Sequence, residues 1–205
     1  MNRRTVVLAL ALLFGAIGAH ASWPRHADLR GFEPADIARL ETAMWRDYYE
    51  KRYVALFGHL YELSRTQFGF SPLDSFRIAL AAAQAAKAFQ PTRSREAANA
   101  ALPPLVTYYR LLASATSGGF DVAEAARLEL DWWQARREAV GPGQYGVTLV
   151  RVAAITYGKP ADDPSLLISG VGRAEAMAYC DARGQAMTDP TGQRSSAGHG
   201  ARTGR

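Results

Sequence analysis

The sequence predicts an all-α protein, a bundle of about six helices arranged as two related halves. Strand signals are almost absent, because no segment sustains an alternation of β-branched and polar residues between turn residues. Helix-start signals recur at 31–36, 69–74 and 119–124, each with Gly-Phe, a capping position and an acid three residues later. A chain of 205 residues with 48% hydrophobic residues can bury a sizeable core.

The first 21 residues have the pattern of an export signal. Arg3 and Arg4 precede an apolar run that ends in small residues at Ala19 and Ala21. We therefore expect cleavage after Ala21 and a periplasmic or secreted protein. The alternative is an uncleaved anchor, which would be the chain's one route to a membrane, but the run is shorter than the roughly 20 apolar residues that span a bilayer.

Capping residues and prolines divide the remaining chain into helices. The first is a long helix over about 34–66, and the second covers 72–89. The third, over about 95–116, contains Pro103 and Pro104. Since an internal proline removes a backbone donor and clashes with the preceding turn, this helix is expected to kink or split there.

Three further helices follow in the second half. They are predicted over about 122–140, 145–157 and 164–184, and Gly170 and Gly172 are expected to interrupt the last of them. The N-caps differ in quality along the chain, since Ser and Asp are good caps and Glu is a weak one. The predicted caps are Glu33, Ser71, Asp121 and Asp163.

A single globular domain is predicted over 22–187, followed by a disordered tail over 188–205 that is rich in Gly, Ser, Thr and Arg and has no apolar periodicity. Cys180 is the sole cysteine, so no intrachain disulfide can form, and its apolar helical context favours a buried thiol. The net charge of +5 arises mainly in the two terminal segments. The body is close to neutral, which argues against nucleic-acid binding.

The chain resembles itself at an offset of 88 residues. Segments 31–50 and 119–138 share nine of twenty positions. Capping explains the start of the match, but not the shared Arg-Leu-Glu and Trp inside it. We therefore expect pseudo-repeats over about 31–90 and 119–183.

Polar residues occupy the apolar, core-facing stripe of the repeated helices. At 100° per residue this stripe includes Glu41, Trp45, Arg52 and His59 in the first copy, and Glu129, Trp133 and Arg136 in the second. These seven residues are the predicted ligand-binding residues. A buried carboxylate must be paired, hydrogen-bonded, protonated or bound to a cation, so the two glutamates need partners.

The structural interpretation pairs each glutamate with an arginine or a tyrosine hydroxyl. Arg52 and Arg136 are the arginines nearest in the pattern, and such pairs would hold the helices in register. On this interpretation Glu41 and Glu129 have no ligand of their own. A third possibility is partial exposure of both on an interaction surface.

A sharper hypothesis places Glu41 and Glu129 together across a pseudo-twofold axis. Their carboxylates would then form one site, with Trp45 and Trp133 as its walls, able to hold a cation or a small polar ligand. The ferritin-like arrangement does not apply, because Glu-x-x-His is absent from the helices that would need it.

No sequence pattern for catalysis is present. The chain lacks a phosphate-binding loop, a nucleophile elbow, a Cys-x-x-Cys pair and a His-Glu-x-x-His motif, and no cofactor is indicated. The sequence therefore predicts an exported, non-catalytic module that binds a small polar ligand or a protein partner. The alternative is a metal-binding protein or an enzyme that uses Glu41 and Glu129.

Overall fold

The computed structural model describes residues 2–23, 27–29, 33–116 and 118–188, and they form an all-α fold, as predicted. Within these residues the sole β-type pairing is an isolated bridge between Ala27 and Thr116. The predicted tail beyond Thr188, the Gly-Phe pair at 31–32 and the side chain of Cys180 lie outside the described set.

The helices follow one another with short connections. In chain order they are α1 (Arg3–Ser22), α2 (Pro34–Tyr49), α3 (Tyr53–Glu62), α4 (Pro72–Phe89), α5 (Arg95–Ala98), α6 (Leu102–Ala115), α7 (Val122–Arg137), α8 (Pro142–Tyr157) and α9 (Pro164–Thr188). A π-helical turn (Leu63–Gln67) extends α3, and a 3₁₀ turn (Asn99–Ala101) joins α5 to α6.

The single helix predicted over 34–66 is wrong, because the chain turns between α2 and α3. Lys51 adopts a left-handed conformation with φ 57°. The N–H of Arg52 then donates to the carbonyl of Asp47 at 2.8 Å, which closes the end of α2 as a Schellman motif does. The turn lets α3 fold back against α2 and bury Leu56.

Helix α7 ends in the same way as α2. Ala139, 88 positions after Lys51, has φ 55°, and the N–H of Val140 donates to the carbonyl of Ala135 at 3.0 Å. Both helices contain 16 residues, and their first and last residues are also 88 positions apart. Helices α2 and α7 therefore share their length and the conformation of their C-terminal ends.

The predicted N-caps behave as their chemistry suggests. The Ser71 hydroxyl accepts from the N–H of Asp74 at 3.1 Å, and the Asp121 carboxylate accepts from the N–H of Glu124 at 2.9 Å. Glu33, the weak cap, makes no such bond within the described residues. The predicted split at the proline pair is also confirmed, since α6 begins at Leu102 and holds Pro103 in its first turn.

Gly170 does not interrupt the last helix, contrary to the prediction. Helix α9 runs without a break, and Gly170 is the point at which it packs on α8. A Cβ atom at Gly170 would overlap Cγ2 of Val150, and one at Gly146 would lie 3.2 Å from the Cα of Val171. The glycines are needed for this close approach of two helices.

The core lies between α4, α6, α7 and α8, which pack in sequence, and α9 packs on α8 and adds the buried Ala174 and Met177. Its largest buried side chains come from all four helices and the loop before α4, and include Phe70, Ile78, Phe89, Leu105, Tyr109, Leu128, Trp132, Tyr145 and Leu149.

Helix α1 stands apart from this core. Within the described part of the chain it is the one helix long and apolar enough to cross a membrane, and a signal sequence near the N-terminus has the same properties. Its leucines are exposed, and it approaches the bundle at α4. This apolar helix fits the predicted export signal.

Candidate functional site

Long side chains of α2, α7 and α9 meet along a line that we call the α2–α7–α9 seam. The participating residues are Glu41, Trp45 and Tyr49 of α2, Glu129, Trp132, Trp133 and Arg136 of α7, and Arg173 and Asp181 of α9. Spacings of four residues on α2 and eight on α9 place these side chains on one face of each helix. Five of the seven predicted site residues lie in this seam.

At the first end of the seam, each glutamate has its own partner. Arg173 Nη2 lies 2.6 Å from Oε1 of Glu41. The carboxylate of Glu129 accepts a hydrogen bond from the Tyr109 hydroxyl at 2.8 Å and another from Trp133 Nε1 at 3.0 Å. The expectation of an arginine or tyrosine partner therefore holds for both, although neither Arg52 nor Arg136 is that partner.

Electrostatics link the two glutamates through Arg173. Burial raises the pKa of Glu129, while its hydrogen-bond donors and the positive charge of Arg173 act in the opposite direction. Burial and the charge of Glu129 also raise the pKa of Tyr109 well above its usual value, which keeps this hydroxyl protonated as a donor. The guanidinium of Arg173 thus pairs with Glu41, and its positive charge also favours the ionised form of Glu129.

Aromatic rings fill the middle of the seam. The rings of Trp45 and Trp132 meet edge to face with centroids 5.7 Å apart. The guanidinium carbon of Arg136 lies 4.0 Å from the centroid of the Trp45 ring. A cation that stacks on an indole in a desolvated position is stabilised by the ring quadrupole.

At the far end, Arg136 binds Asp181 through two parallel hydrogen bonds. Its Nε lies 2.9 Å from Oδ2 and its Nη2 lies 2.8 Å from Oδ1. The Tyr49 hydroxyl donates to the same Oδ1 at 2.8 Å. This bidentate pair joins the end of α7 to the end of α9, and Tyr49 ties α2 to both.

Three buried donors in the seam have no hydrogen-bond partner among the described residues. They are Trp132 Nε1, Arg136 Nη1 and Arg173 Nε. The side chain of Arg136 is only 8% exposed, so its free N–H groups are well removed from solvent. Buried donors without acceptors are unfavourable. Trp132 still lies close enough to the Glu129 carboxyl to help lower its pKa, so Arg136 Nη1 and Arg173 Nε are the two donors that call for an oxygen acceptor.

The two remaining predicted residues, Arg52 and His59, lie elsewhere and surround Asp47. Arg52 Nη2 lies 2.6 Å from Oδ1 of Asp47, and His59 Nδ1 lies 2.8 Å from Oδ2. Burial alone would raise the pKa of Asp47, but the hydrogen bonds and charges of these two partners outweigh it, and the pKa is lowered.

The placement of Arg52 and His59 beside Glu41 is therefore corrected. The prediction assumed one continuous helix, in which a fixed 100° step carries the face of Glu41 on to His59. The turn at Lys51 interrupts that step and reverses the chain. Both residues consequently contact Asp47, near the end of α2.

Sequence reasoning missed Arg173 and Asp181 in the seam, Tyr109 of α6 beside it, and Asp47 at the turn. Arg173 and Asp181 lie eight residues apart on one face of α9, a signal that was available in the sequence. The equivalent positions 88 residues earlier hold Ala85 and Arg93, so the internal repeat does not mark Arg173 and Asp181.

No group of three His, Cys, Asp or Glu side chains suited to a metal ion occurs among the residues that the structure describes. Two open surface depressions lie away from the seam, one at the start of α1 and one beside Arg151 and Lys159. The polar groups of the seam bind each other in the structure.

The fold and the seam define an all-α protein whose first and last bundle helices are joined by a polar and aromatic contact. Comparisons with protein-family models, with curated proteins and with solved structures gave no match.

Proposed function

We propose that the mature chain is an exported, non-catalytic binding protein and that the α2–α7–α9 seam takes a small polar ligand. The observation that carries the proposal is the buried guanidinium of Arg136, which stacks on Trp45 and retains Nη1 without an acceptor among the described residues. A ligand oxygen would supply the missing acceptor, and the indole would supply an apolar wall.

Export is supported by the N-terminal segment. Helix α1 is apolar, lies outside the core and follows Arg3 and Arg4. Removal of residues 1–21 would leave α2 to α9 with the packing described above. The folded part would then act in the periplasm or outside the cell.

The alternative, a metal site between Glu41 and Glu129, has weaker support. Arg173 lies against Glu41, and its charge also acts on Glu129. A divalent cation placed between the carboxylates would be repelled by this guanidinium, and carboxylate ligands must approach a metal to about 2.0–2.6 Å. A neutral or anionic ligand suits the same charges better.

A duplicated origin is part of the proposal. Helices α2 and α7 share their length, their left-handed C-terminal residue and an 88-residue offset. Each is followed by two helices, α3 and α4 in the first half and α8 and α9 in the second. On this proposal the seam uses the first helix of each half, together with α9 from the second.

The test is a comparison of ligand retention between the parent protein and Arg136→Lys. The protein is purified from its native compartment, and native mass spectrometry measures any bound mass. Lysine keeps the charge but lacks the planar fork and stacks less well, so we expect the bound mass to be lost. Arg95→Lys is the matched control, because Arg95 makes an exposed two-bond pair with Glu138.

Retention should persist in Arg95→Lys if the seam is the site. Equal loss in both variants, or a parent protein that carries no small molecule and shows no change in tryptophan fluorescence with an extract of its compartment, would contradict the proposal. Both variants need melting curves close to the parent's, so that unfolding does not account for a loss.

A second candidate function is binding of a protein partner through α3 and α4. Val54 is 87% exposed, and Phe76 and Leu80 are half exposed on the neighbouring helix. Phe57 joins them, since its ring lies 5.3 Å from that of Phe76. An apolar surface of this kind marks interaction sites on exported proteins.

Removal of α1 would also expose the part of α4 that α1 contacts. The test is chemical cross-linking of the mature protein in its compartment, with Val54→Ser and Leu80→Ser as the variants. The control is Val147→Ser, a change at an exposed residue on α8. Cross-links that survive in both surface variants would contradict this second candidate.

A further inference from the structure

We infer that Arg136 forms a carboxylate-binding site and that Asp181 is its built-in occupant, which a small organic acid displaces. The inference rests on the proposed function and names the chemical class of its ligand. It also assigns to the end of α9 the role of a competitor for that ligand.

The present occupant shows which ligand geometry the site accepts. Asp181 offers two coplanar oxygens to Nε and Nη2 of Arg136 at 2.9 and 2.8 Å. The Tyr49 hydroxyl adds a third donor on one of those oxygens at 2.8 Å. A free carboxylate can reproduce all three bonds, because its two oxygens match the spacing of the guanidinium fork.

The surroundings favour an acid with an apolar substituent. The guanidinium lies against Trp45, whose ring in turn meets Trp132. These rings offer apolar surface next to the charge, whereas a phosphate or sulfate would add a third oxygen and a larger charge on that side. The free Nη1 of Arg136 can donate to a further oxygen of the ligand, as in a hydroxy acid.

The side chain of Asp181 is partly open to solvent, so a ligand can approach the position that it occupies. Its side chain is 26% exposed, and it belongs to the last two turns of the described part of α9. Earlier in α9, Gly170 packs against Val150, and the carbonyl of Ala174 accepts from the buried Tyr145 hydroxyl at 2.6 Å. The helix is thus held on the bundle as far as Met177, which is buried in the core, and Asp181, one turn further on, contacts Arg136 and Tyr49.

A built-in occupant solves a problem of burial. A guanidinium as buried as Arg136 would be unstable without a counter-charge, so an empty site is unfavourable. Asp181 keeps the charge paired when no ligand is present. A ligand must compete with a tethered carboxylate whose effective concentration is on the order of millimolar, and this lowers its apparent affinity.

The experiment removes the occupant and supplies a carboxylate in solution. The full chain and its Asp181→Ala variant are titrated with sodium propionate, with sodium chloride and sodium phosphate at equal ionic strength as comparisons. Tryptophan fluorescence reports on the four tryptophans, of which Trp45 contacts Arg136, and the melting temperature reports on stability. We expect propionate to bind Asp181→Ala at least about tenfold more tightly than the parent and to raise the variant's melting temperature, with little effect of chloride or phosphate.

Glu138→Ala is the matched control. Glu138 also receives two hydrogen bonds from an arginine, Arg95, at 2.8 and 2.5 Å, but that pair is exposed. Propionate should have no specific effect on this variant. An equal response of Glu138→Ala, an equal response to chloride, or a response of Asp181→Ala that persists after Arg136→Lys would each overturn the inference.

Asp181→Asn covers the case in which the alanine variant fails to fold. It keeps the size of the side chain and one acceptor, and propionate should still bind it more tightly than the parent. A neutral ligand on the parent protein, without any propionate response in either variant, would overturn the inference and leave the proposed function standing. If the parent protein retains no ligand but the Asp181 variants respond to propionate, the inference stands and the proposed function is contradicted.

Discussion

His59 Nδ1 lies 2.8 Å from Oδ2 of Asp47, whose side chain is only 1% exposed. The lowered pKa of Asp47 keeps it ionised, so this oxygen accepts and Nδ1 of His59 donates. Arg52 occupies the other oxygen at 2.6 Å. Both partners follow the turn after α2, so one buried carboxylate holds the start of α3 against the end of α2.

Asp47→Asn should lower the free energy of unfolding by about 1–3 kcal/mol, since the amide cannot accept from both partners and loses the charge. The control is Glu50→Gln, because Glu50 contacts Arg52 at 2.9 Å with both side chains about half exposed. It should change the stability by less than about 0.5 kcal/mol. Urea denaturation of the three proteins measures the difference, and equal effects would contradict the assigned role of Asp47.

The contribution of Asp47 to folding stability should decrease at low pH. Its folded-state pKa is lowered from 3.8, so the stabilisation is fully present above pH 3.8 and decreases as the pH falls through the folded value. The difference in unfolding free energy between the parent and Asp47→Asn should therefore shrink below pH 3.8. A difference that is constant from pH 7 to pH 2.5 would contradict this assignment.

Glu129 should show the opposite sign. Burial raises its folded-state pKa above 4.5, so its contribution to stability is largest below pH 4.5 and decreases as the pH rises through the folded value. The stability of the parent relative to Glu129→Gln should decline over that interval. Glu138→Gln serves for comparison, because Arg95 lowers the pKa of Glu138 and the slope should be reversed.

Gly170→Ala should destabilise the fold by about 1–3 kcal/mol, because the new methyl would overlap Cγ2 of Val150 and lie 3.1 Å from the carbonyl oxygen of Gly146. Gly172→Ala is the matched control on the same helix. A Cβ atom at Gly172 would have no described atom of another residue within 4 Å, its chain neighbours and its own helix backbone apart, so alanine should stabilise the helix by about 0.5–1 kcal/mol. Thermal melting with circular dichroism would reveal opposite shifts.

Ala139→Gly should stabilise the protein, in contrast to a glycine within a helix. Ala139 has φ 55°, a conformation that glycine adopts without the strain of a Cβ atom. We expect a gain of about 1 kcal/mol, reduced by the greater entropy of the unfolded glycine chain. Lys51→Gly, at the equivalent position after α2, should act in the same direction. Lower melting temperatures for both variants would contradict the left-handed assignment.

Local chemistry explains why much of the fold was predictable. Ser71 and Asp121 cap their helices, Pro103 marks the start of α6, and the left-handed Gly158 ends α8. These signals act within a few residues and need no tertiary context. The turn after α2 lacked such a signal, because its left-handed residue is Lys51 rather than glycine.

The predicted site was less complete, because helical periodicity identifies the residues on one face of a helix but not the residues of other helices that this face contacts. Glu129 and Trp133 meet on one face of α7 as the spacing required. Trp45 and Arg136 belong to helices far apart in the chain, and their contact depends on how α2 and α7 pack. The eight-residue spacing of Arg173 and Asp181 on α9 is visible in the sequence, but their pairing with Glu41 and Arg136 depends on the same packing.

By itself, the sequence determined the all-α class, most helix boundaries, the N-terminal apolar segment and the 88-residue correspondence, because capping, proline geometry and 3.6-residue periodicity are local. The tertiary structure alone decided which charges meet. The turn at Lys51 separates Arg52 and His59 from Glu41, so both bind Asp47. The packing of α7 and α9 pairs Arg136 with Asp181. The reason is physical: a buried charge is stabilised by whichever opposite charge the packing brings within a few ångströms, whatever their distance in the chain.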